Sequence, residues 1–355
     1  MHDTLACGRE LMQAARDNNL ARAQQLIDAG CGVNARVATG TDQWISPLSH
    51  AIVHADPAMV RLLLQHGADP CQDLGYNSPP LYSAAGTSTR EVLLLLLDKC
   101  PNLNLMNDGR SLLSQAIAGR RMDNVVLLVE RGAKLDPDSS YDAPLVVAAQ
   151  HRQVEIFSYL LAQGADVNVR FSMSGEDCMP CSDSITLLHH LVDMRKYEDS
   201  ALVRDLLETL MAYSPEMNIE SAHGLTALEH ACFDTDTAMA DWLISRGAAL
   251  ETDDYTALHV AARYSNDSMV AYLLRKGANP NARTRKGDTP LLLSYTCCGD
   301  GFGEGITTDS RIKTTRLLLA YGADPSITNH DNKSWNDLCN TGLRKELCDT
   351  IQKDR

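Results

Sequence analysis

Apolar positions along this chain neither alternate nor run long. Between Ser268 and Arg275 the branched aliphatic residues fall at Val270, Leu273 and Leu274, a spacing of i, i+3 and i+4 that gathers them on one side of a helix. Ahead of this stripe stand Thr256-Ala257-Leu258-His259 and the small pair Ala261-Ala262; behind it stands Gly277-Ala278. Threonine or serine before a helix caps its first free N–H groups. Pro47, Pro80, Pro144 and Pro290 stand in a first helical turn, where a missing N–H does no harm. The small pair lets a neighbouring helix approach, and the glycine stops the second helix in a left-handed conformation. The pattern predicts a helix, a tight turn, a second helix and a glycine stop.

The block recurs at a fixed length. Thr256 to Gly277 spans 21 positions, as do Arg9–Gly30, Ser46–Gly67, Pro79–Cys100, Ser111–Gly132, Ala143–Gly164 and Thr226–Gly247. Two blocks are stretched: Thr186–Ser214 spans 28 and Thr289–Gly322 spans 33. A single period repeated this way identifies a repeat architecture. One helix pair cannot bury both its faces, whereas stacked neighbours can.

The segments SPLSHA, PPLYSAA, TALEHAC, TALHVAA and TPLLLSY, each followed by a Leu-Leu and Gly-Ala stretch, resemble the ankyrin repeat family from Arg9 to about Asn329. The resemblance implies an all-α solenoid of stacked helix-turn-helix units joined by β-hairpin fingers. It divides 1–355, taken as a single array, into repeats at about 5–40, 41–74, 75–106, 107–138, 139–170, 183–220, 221–251, 252–283 and 284–328, with a degenerate cap over 329–355. It also implies that the His189 and His259 rings hydrogen-bond backbone within their own turns. Partner-facing residues would be of two kinds. On the fingers they are Trp44, Tyr76, Arg110, Tyr141, His223, Tyr255, Arg285 and Lys286. Just after the small pair they are His54, His151, Phe233, Arg263 and Tyr264.

Three insertions break the period, at 171–184, 195–201 and 297–311. The first holds Cys178-Met179-Pro180-Cys181, two thiols where a zinc site needs four ligands, so the expectation is loop thiols, with a metal site at Cys178 and Cys181 as the alternative. The third holds a glycine-rich run that lacks the Lys-Ser/Thr of a phosphate loop, and it reads as a surface loop. The finger between Gly247 and Thr256 is by contrast a stub.

Composition narrows the function. A net charge of −14 opposes general nucleic-acid binding. The longest apolar run is far short of the roughly 20 residues that cross a membrane. Eleven cysteines, an odd number with no repeated spacing, behind an N-terminus without a secretory pattern, are expected as reduced thiols of a cytoplasmic or nuclear protein. The chain is expected to be a monomer that needs no cofactor and to act as a non-enzymatic interaction module, an adaptor, scaffold or inhibitor. The competing expectation is a small-molecule-binding or catalytic accessory protein. It would use His190 and His230, from consecutive blocks, with Asp193 and Glu229 as acid–base groups. The Arg283–Lys286 run, with Arg263, Arg275 and Lys276 near in sequence, reads as either a solvated charged face or a site for an acidic segment.

Overall fold

The computed structural model describes residues 4–40, 43–54, 57–72, 74, 78–136, 142–172, 184–194, 200–233, 235, 237–296 and 307–340. They belong to two compact units, Met1–Cys178 with Ala201–Tyr213, and Met179–Ser200 with Ser214–Arg355. In the first unit helices come in pairs: α1 (Thr4–Arg16) with α2 (Leu20–Asp28), α3 (Pro47–His54) with α4 (Pro57–Gln65), α5 (Pro80–Thr87) with α6 (Arg90–Leu97), α7 (Leu112–Ala118) with α8 (Met122–Glu130), and α9 (Pro144–Gln150) with α10 (Val154–Ala162). The first members of the pairs, α1, α3, α5, α7 and α9, pack on one another in chain order, and α2, α4, α6 and α8 do the same beside them. The next two helices are α11 (Leu187–Met194), in the second unit, and α12 (Ser200–Met211), almost wholly in the first. The second unit continues with α13 (Ala227–Ala231) and α14 (Thr237–Ser245), α15 (Ala257–Arg263) and α16 (Asp267–Arg275), α17 (Pro290–Thr296) and α18 (Thr308–Ala320), and closes on α19 (Trp335–Asn340). There α11, α13, α15, α17 and α19 form the inner row, and α14, α16 and α18 the outer.

The fingers are short. β1 (Val37–Gly40) pairs antiparallel with β2 (Gln43–Ile45), setting Ala38 opposite Trp44, and β3 (Met106–Asn107) pairs with β4 (Arg110–Ser111). Strands β5 (Arg170–Ser172) and β6 (Ser184–Thr186) lie in the first and second unit respectively.

The glycine stops behave as their spacing predicts. Gly30, Gly67, Gly132, Gly164, Gly247, Gly277 and Gly322 all hold φ between 87° and 100°. Ser214, which stands at the same place in a stretched block, also turns left-handed at φ 53°. Cys100 differs: it is not left-handed, its N–H bonds Leu96 O at 2.9 Å, and Pro101 follows. Arg9 does not open a helix either, since α1 starts at Thr4 and carries Arg9 inside it.

Neighbouring blocks are tied by two polar devices. In the first, the side chain four residues after a stop accepts the N–H two residues after the next stop: Asn34 from Asp69 at 2.8 Å, Asn218 from Ala249 at 2.9 Å, Glu251 from Asn279 at 2.8 Å and Asn281 from Asp324 at 2.7 Å. Asn34 and Asn281 also donate to the carbonyls of Gly67 and Gly322, each at 2.9 Å. In the second, a buried amide reaches back to the end of the preceding inner helix. Asn124 donates to Ala85 O and Ser88 O, Gln153 to Ile117 O and Asn266 to Cys232 O. Each bond satisfies a carbonyl that a helix end leaves open.

The cysteines depart from expectation. Cys7 is joined to Cys31 and Cys71 to Cys100, with Cα–Cα distances of 5.5 and 6.2 Å, and Cys339 is disulfide-bonded as well. Stacking brings these side chains into bonding reach, so the reading of all eleven as thiols is corrected for these positions. Among the described residues Cys232 is a free thiol, and it is buried.

Candidate functional site

Three blocks of the second unit share the slot three residues after the capping threonine. His189 and His259 fill it in two of them, and Glu229 in the block between. The His189 Nδ1 accepts from the Thr186 hydroxyl at 2.7 Å, and its Nε2 donates to Leu225 O at 2.9 Å in the next finger. His259 repeats this with Thr256 N–H and hydroxyl at 3.1 and 2.9 Å, and with Ala282 O and Asp288 O at 3.2 and 3.1 Å. Both rings therefore sit neutral with the proton on Nε2. Burial pushes His259 down to about 4.

Glu229 does the same job with different chemistry. Its Oε2 accepts from Thr226 N–H at 2.7 Å, and the Thr226 hydroxyl accepts from Glu229 N–H at 3.4 Å, closing a capping box. Its Oε1 lies 3.1 Å from the Thr252 hydroxyl, which is also 2.9 Å from Tyr255 O. One hydroxyl hydrogen cannot serve both acceptors. A protonated Glu229 that donates to Thr252 satisfies the whole chain. Burial pushes this carboxyl up to about 7. The acid is thus a strut beneath the stub finger.

That finger carries Tyr255, whose ring lies 5.4 Å from His259 between centroids and whose hydroxyl accepts from the Arg263 guanidinium at 3.3 Å. The ends of α13 and α15 deliver Phe233 and Tyr264, edge to face at 4.9 Å, with Phe233 38% exposed. Together with His223 and Val260 these four side chains line a pocket of about 230 Å³. Asp254 is the one acid in its wall, and it is engaged by Arg285: it accepts the Arg285 N–H at 2.6 Å and faces the guanidinium at 3.5 Å. Arg263 has no carboxylate partner among the described residues. The adjoining Tyr255 hydroxyl raises its pKa, while burial raises that of Tyr255.

The model of ankyrin repeats in three copies matches this sequence over residues 11–107, 100–171 and 188–284. The chain belongs to the ankyrin repeat family. Human ankyrin repeat and SOCS box protein 6 is 30% identical over 257 residues, which cover 70% of this chain and 51% of that protein. The ankyrin repeat protein nuc-2 of Neurospora crassa is 27% identical over 222 residues, 61% of this chain and 19% of the relative. The chain thus spans about half of the human relative's length and less of the other. Among solved structures, the ankyrin repeat domain of Bcl-3 superposes with a TM-score of 0.51 at 22% identity, over 66% of this chain and 97% of that one. The fold is the ankyrin repeat solenoid of stacked helix pairs with hairpin fingers, and ankyrin repeats generally mediate protein–protein interaction.

Of the ankyrin positions named as partner-facing, the structure gathers His223, Phe233, Tyr255, Arg263 and Tyr264 at the one pocket. Arg285 and Lys286 are exposed on the next finger. In the first unit Trp44 is 38% exposed on β2, Arg110 is exposed on β4 and His151 caps the end of α9. Burial, then Arg110 and Arg120, hold His151 below its ordinary pKa. Tyr76, Tyr141, Cys178, Cys181 and the His54 side chain lie outside the described residues, as does most of each insertion.

The acid–base cluster assembles otherwise than the sequence indicated. His230 Nδ1 does lie 3.2 Å from the Asp193 carboxylate. The ring edge-on to it at 4.9 Å, however, belongs to His189 rather than His190. Consecutive helix residues point about 100° apart, and the cap turns His189 this way. His190 and Glu229 are buried at 7% and 1% exposure, with Glu229 engaged in the cap. Among the described residues no group of three His, Cys, Asp or Glu side chains is placed to hold a metal ion. No helix of the described residues is long and apolar enough to cross a membrane.

Two features escaped sequence reasoning. The inter-block ladder had a signal, Asn, Asp or Glu recurring four residues after the stops. The Glu229 strut had one too: a glutamate in a histidine slot, followed by a threonine in the next finger.

Proposed function

We propose that the chain is a non-enzymatic interaction subunit that holds another protein on the inner helices and fingers of its second unit, centred on the pocket between α13 and α15. The observation that carries this is the convergence of exposed Phe233 and Arg263 with half-buried Tyr255 and Tyr264, from two consecutive blocks, on one small concavity. Aromatic and arginine side chains are the types that anchor interfaces. Trp44, Arg110 and His151 in the first unit, with Arg285 and Lys286, extend the reading to further contact points. An adaptor role fits the relatives whose names join ankyrin repeats to a SOCS box. Of the acid–base candidates, Glu229 is engaged in a cap, while His230 lies within 3.2 Å of the Asp193 carboxylate, so the acid–base alternative keeps that one pair.

The test is proximity labelling in cells, run in parallel with the wild-type chain and with a Phe233→Ala, Arg263→Glu, Tyr264→Ala variant. Partners should be lost from the variant while its melting temperature stays near wild type. An unchanged partner set for a folded variant overturns the placement of the site.

A further inference from the structure

The pocket has an uneven electrostatic character. The protein carries 46 acidic residues against 32 Lys and Arg, and several cations of the second unit are engaged within the chain. Arg285 is held by Asp254 and Lys276 by Asp241, while Arg283 donates to Thr328 O at 2.9 Å. Arg263 is the exception at the pocket. It stands exposed at the end of α15, its side-chain hydrogen bond among the described residues runs to the neutral Tyr255 hydroxyl, and Tyr255 and Tyr264 flank it. The Tyr255 bond fixes the direction of the guanidinium and leaves its remaining N–H groups open, since a guanidinium offers five donors. Beside it Phe233 and Tyr264 meet edge to face, Phe233 exposed and Tyr264 half-buried, and among the described residues the one acid lining the pocket is the engaged Asp254.

Resting on the interaction reading above, we propose that the occupant of this pocket is an acidic peptide segment of the partner. An Asp or Glu carboxylate pairs with Arg263, and a large apolar side chain next to it lies against Phe233 and Tyr264. Charge complementarity selects the acid: a basic or neutral side chain at that point would leave Arg263 covered and unpaired, which is strongly unfavourable. Aromatic contact selects the apolar neighbour. Arg285 and Lys276 are each already drawn to one of this chain's own acids, Asp254 and Asp241.

The experiment is selection of a phage-displayed library of random peptides on the full chain, followed by fluorescence polarisation with the enriched peptides. Enriched sequences should share an Asp or Glu beside Leu, Ile, Phe, Trp or Met. Arg263→Gln should weaken them about tenfold or more, as loss of a charge-assisted bond does. Changing the peptide acid to its amide should have the same effect, with no further loss in the Arg263→Gln chain. Arg263→Glu with a peptide Glu→Lys exchange should recover part of the affinity. Peptides that depend on Phe233 and Tyr264 but tolerate Arg263→Gln and the amide would overturn the acidic-segment inference and leave the pocket reading standing. Peptides indifferent to all three side chains would overturn both. Failure of the wild-type chain to enrich any peptide, with partner labelling intact, would overturn segment recognition alone.

Discussion

At the scale of single residues, the slot after the capping threonine is the most informative position in the chain. Histidine there is acceptor and donor at once, so His189 and His259 each close a cap and reach a carbonyl of the next finger. Glutamate closes the cap through one oxygen and meets the Thr252 hydroxyl of the next finger with the other, at 3.1 Å. Its carboxyl pKa, about 7 in the folded chain against 4.5 for an unperturbed group, fixes the sign of the effect. Below pH 4.5 folded and unfolded chains are both protonated, and the stabilisation is complete. As pH rises through 7 the unfolded chain has already released its proton and the folded chain is forced to follow, so stability falls. Glu229→Gln mimics the protonated acid. It should raise the melting temperature at pH 8, by the order of 1–3 kcal/mol in stability, and change little at pH 4.5. Thermal melts of both proteins at the two pH values check this. His259 acts in the opposite sense. Its folded pKa of about 4 lies below the ordinary 6.5, so its contribution is present above 6.5 and is lost as pH falls toward 4. His259→Ala should flatten that acid limb of the stability curve while lowering stability at neutral pH by about 2 kcal/mol through the unpaired cap and carbonyls.

At the scale of elements, the turns and the ladder decide how blocks join. Ser265, between α15 and α16, is left-handed at φ 53°, and its buried hydroxyl finds no hydrogen-bond partner among the described residues. Ser265→Gly removes both penalties and should stabilise the protein by about 0.5–1 kcal/mol in urea unfolding. Gly119 tests close packing. A Cβ there would overlap the carbonyl of Gly86, so Gly119→Ala should force α5 and α7 apart and lower stability by about 1–3 kcal/mol. Asn281→Ala removes both the bond from Asp324 N–H and the bond to Gly322 O, and should expose the last fingers to hydrogen exchange before the rest of the second unit. The paired helices and their stops were legible in the sequence, because a 21-residue period and glycine's conformational freedom leave a direct trace. Arg9 and Cys100 misled because the spacing continued where the residue chemistry had already changed. The side chains that bond across blocks were not legible as such. The pattern shows that Asn281 recurs, but only stacking shows that it meets the following turn.

At the scale of the molecule, local and global charge pull apart. The pocket presents Arg263, yet the chain carries a net charge of −14. An acidic segment is attracted at contact and repelled at distance. Added salt screens both effects, so it should leave the association rate level or raise it while speeding dissociation, a split that stopped-flow fluorescence resolves. Five of the thirteen partner-facing positions named from sequence meet at one pocket because two consecutive blocks repeat the same inner-helix ending. The ion pairs of Arg285 with Asp254 and of Lys276 with Asp241 were not legible, since sequence does not show which cations the chain engages itself. The strut at Glu229 has one more consequence, for anyone shuffling blocks among proteins of this kind. A histidine block is portable: any successor offers it a carbonyl. The block opening at Thr226 is not, because its glutamate needs the hydroxyl of Thr252 behind it. Those two modules should be transplanted as an inseparable couple, and a chimera that parts them would strand a carboxyl group in the dark of the seam.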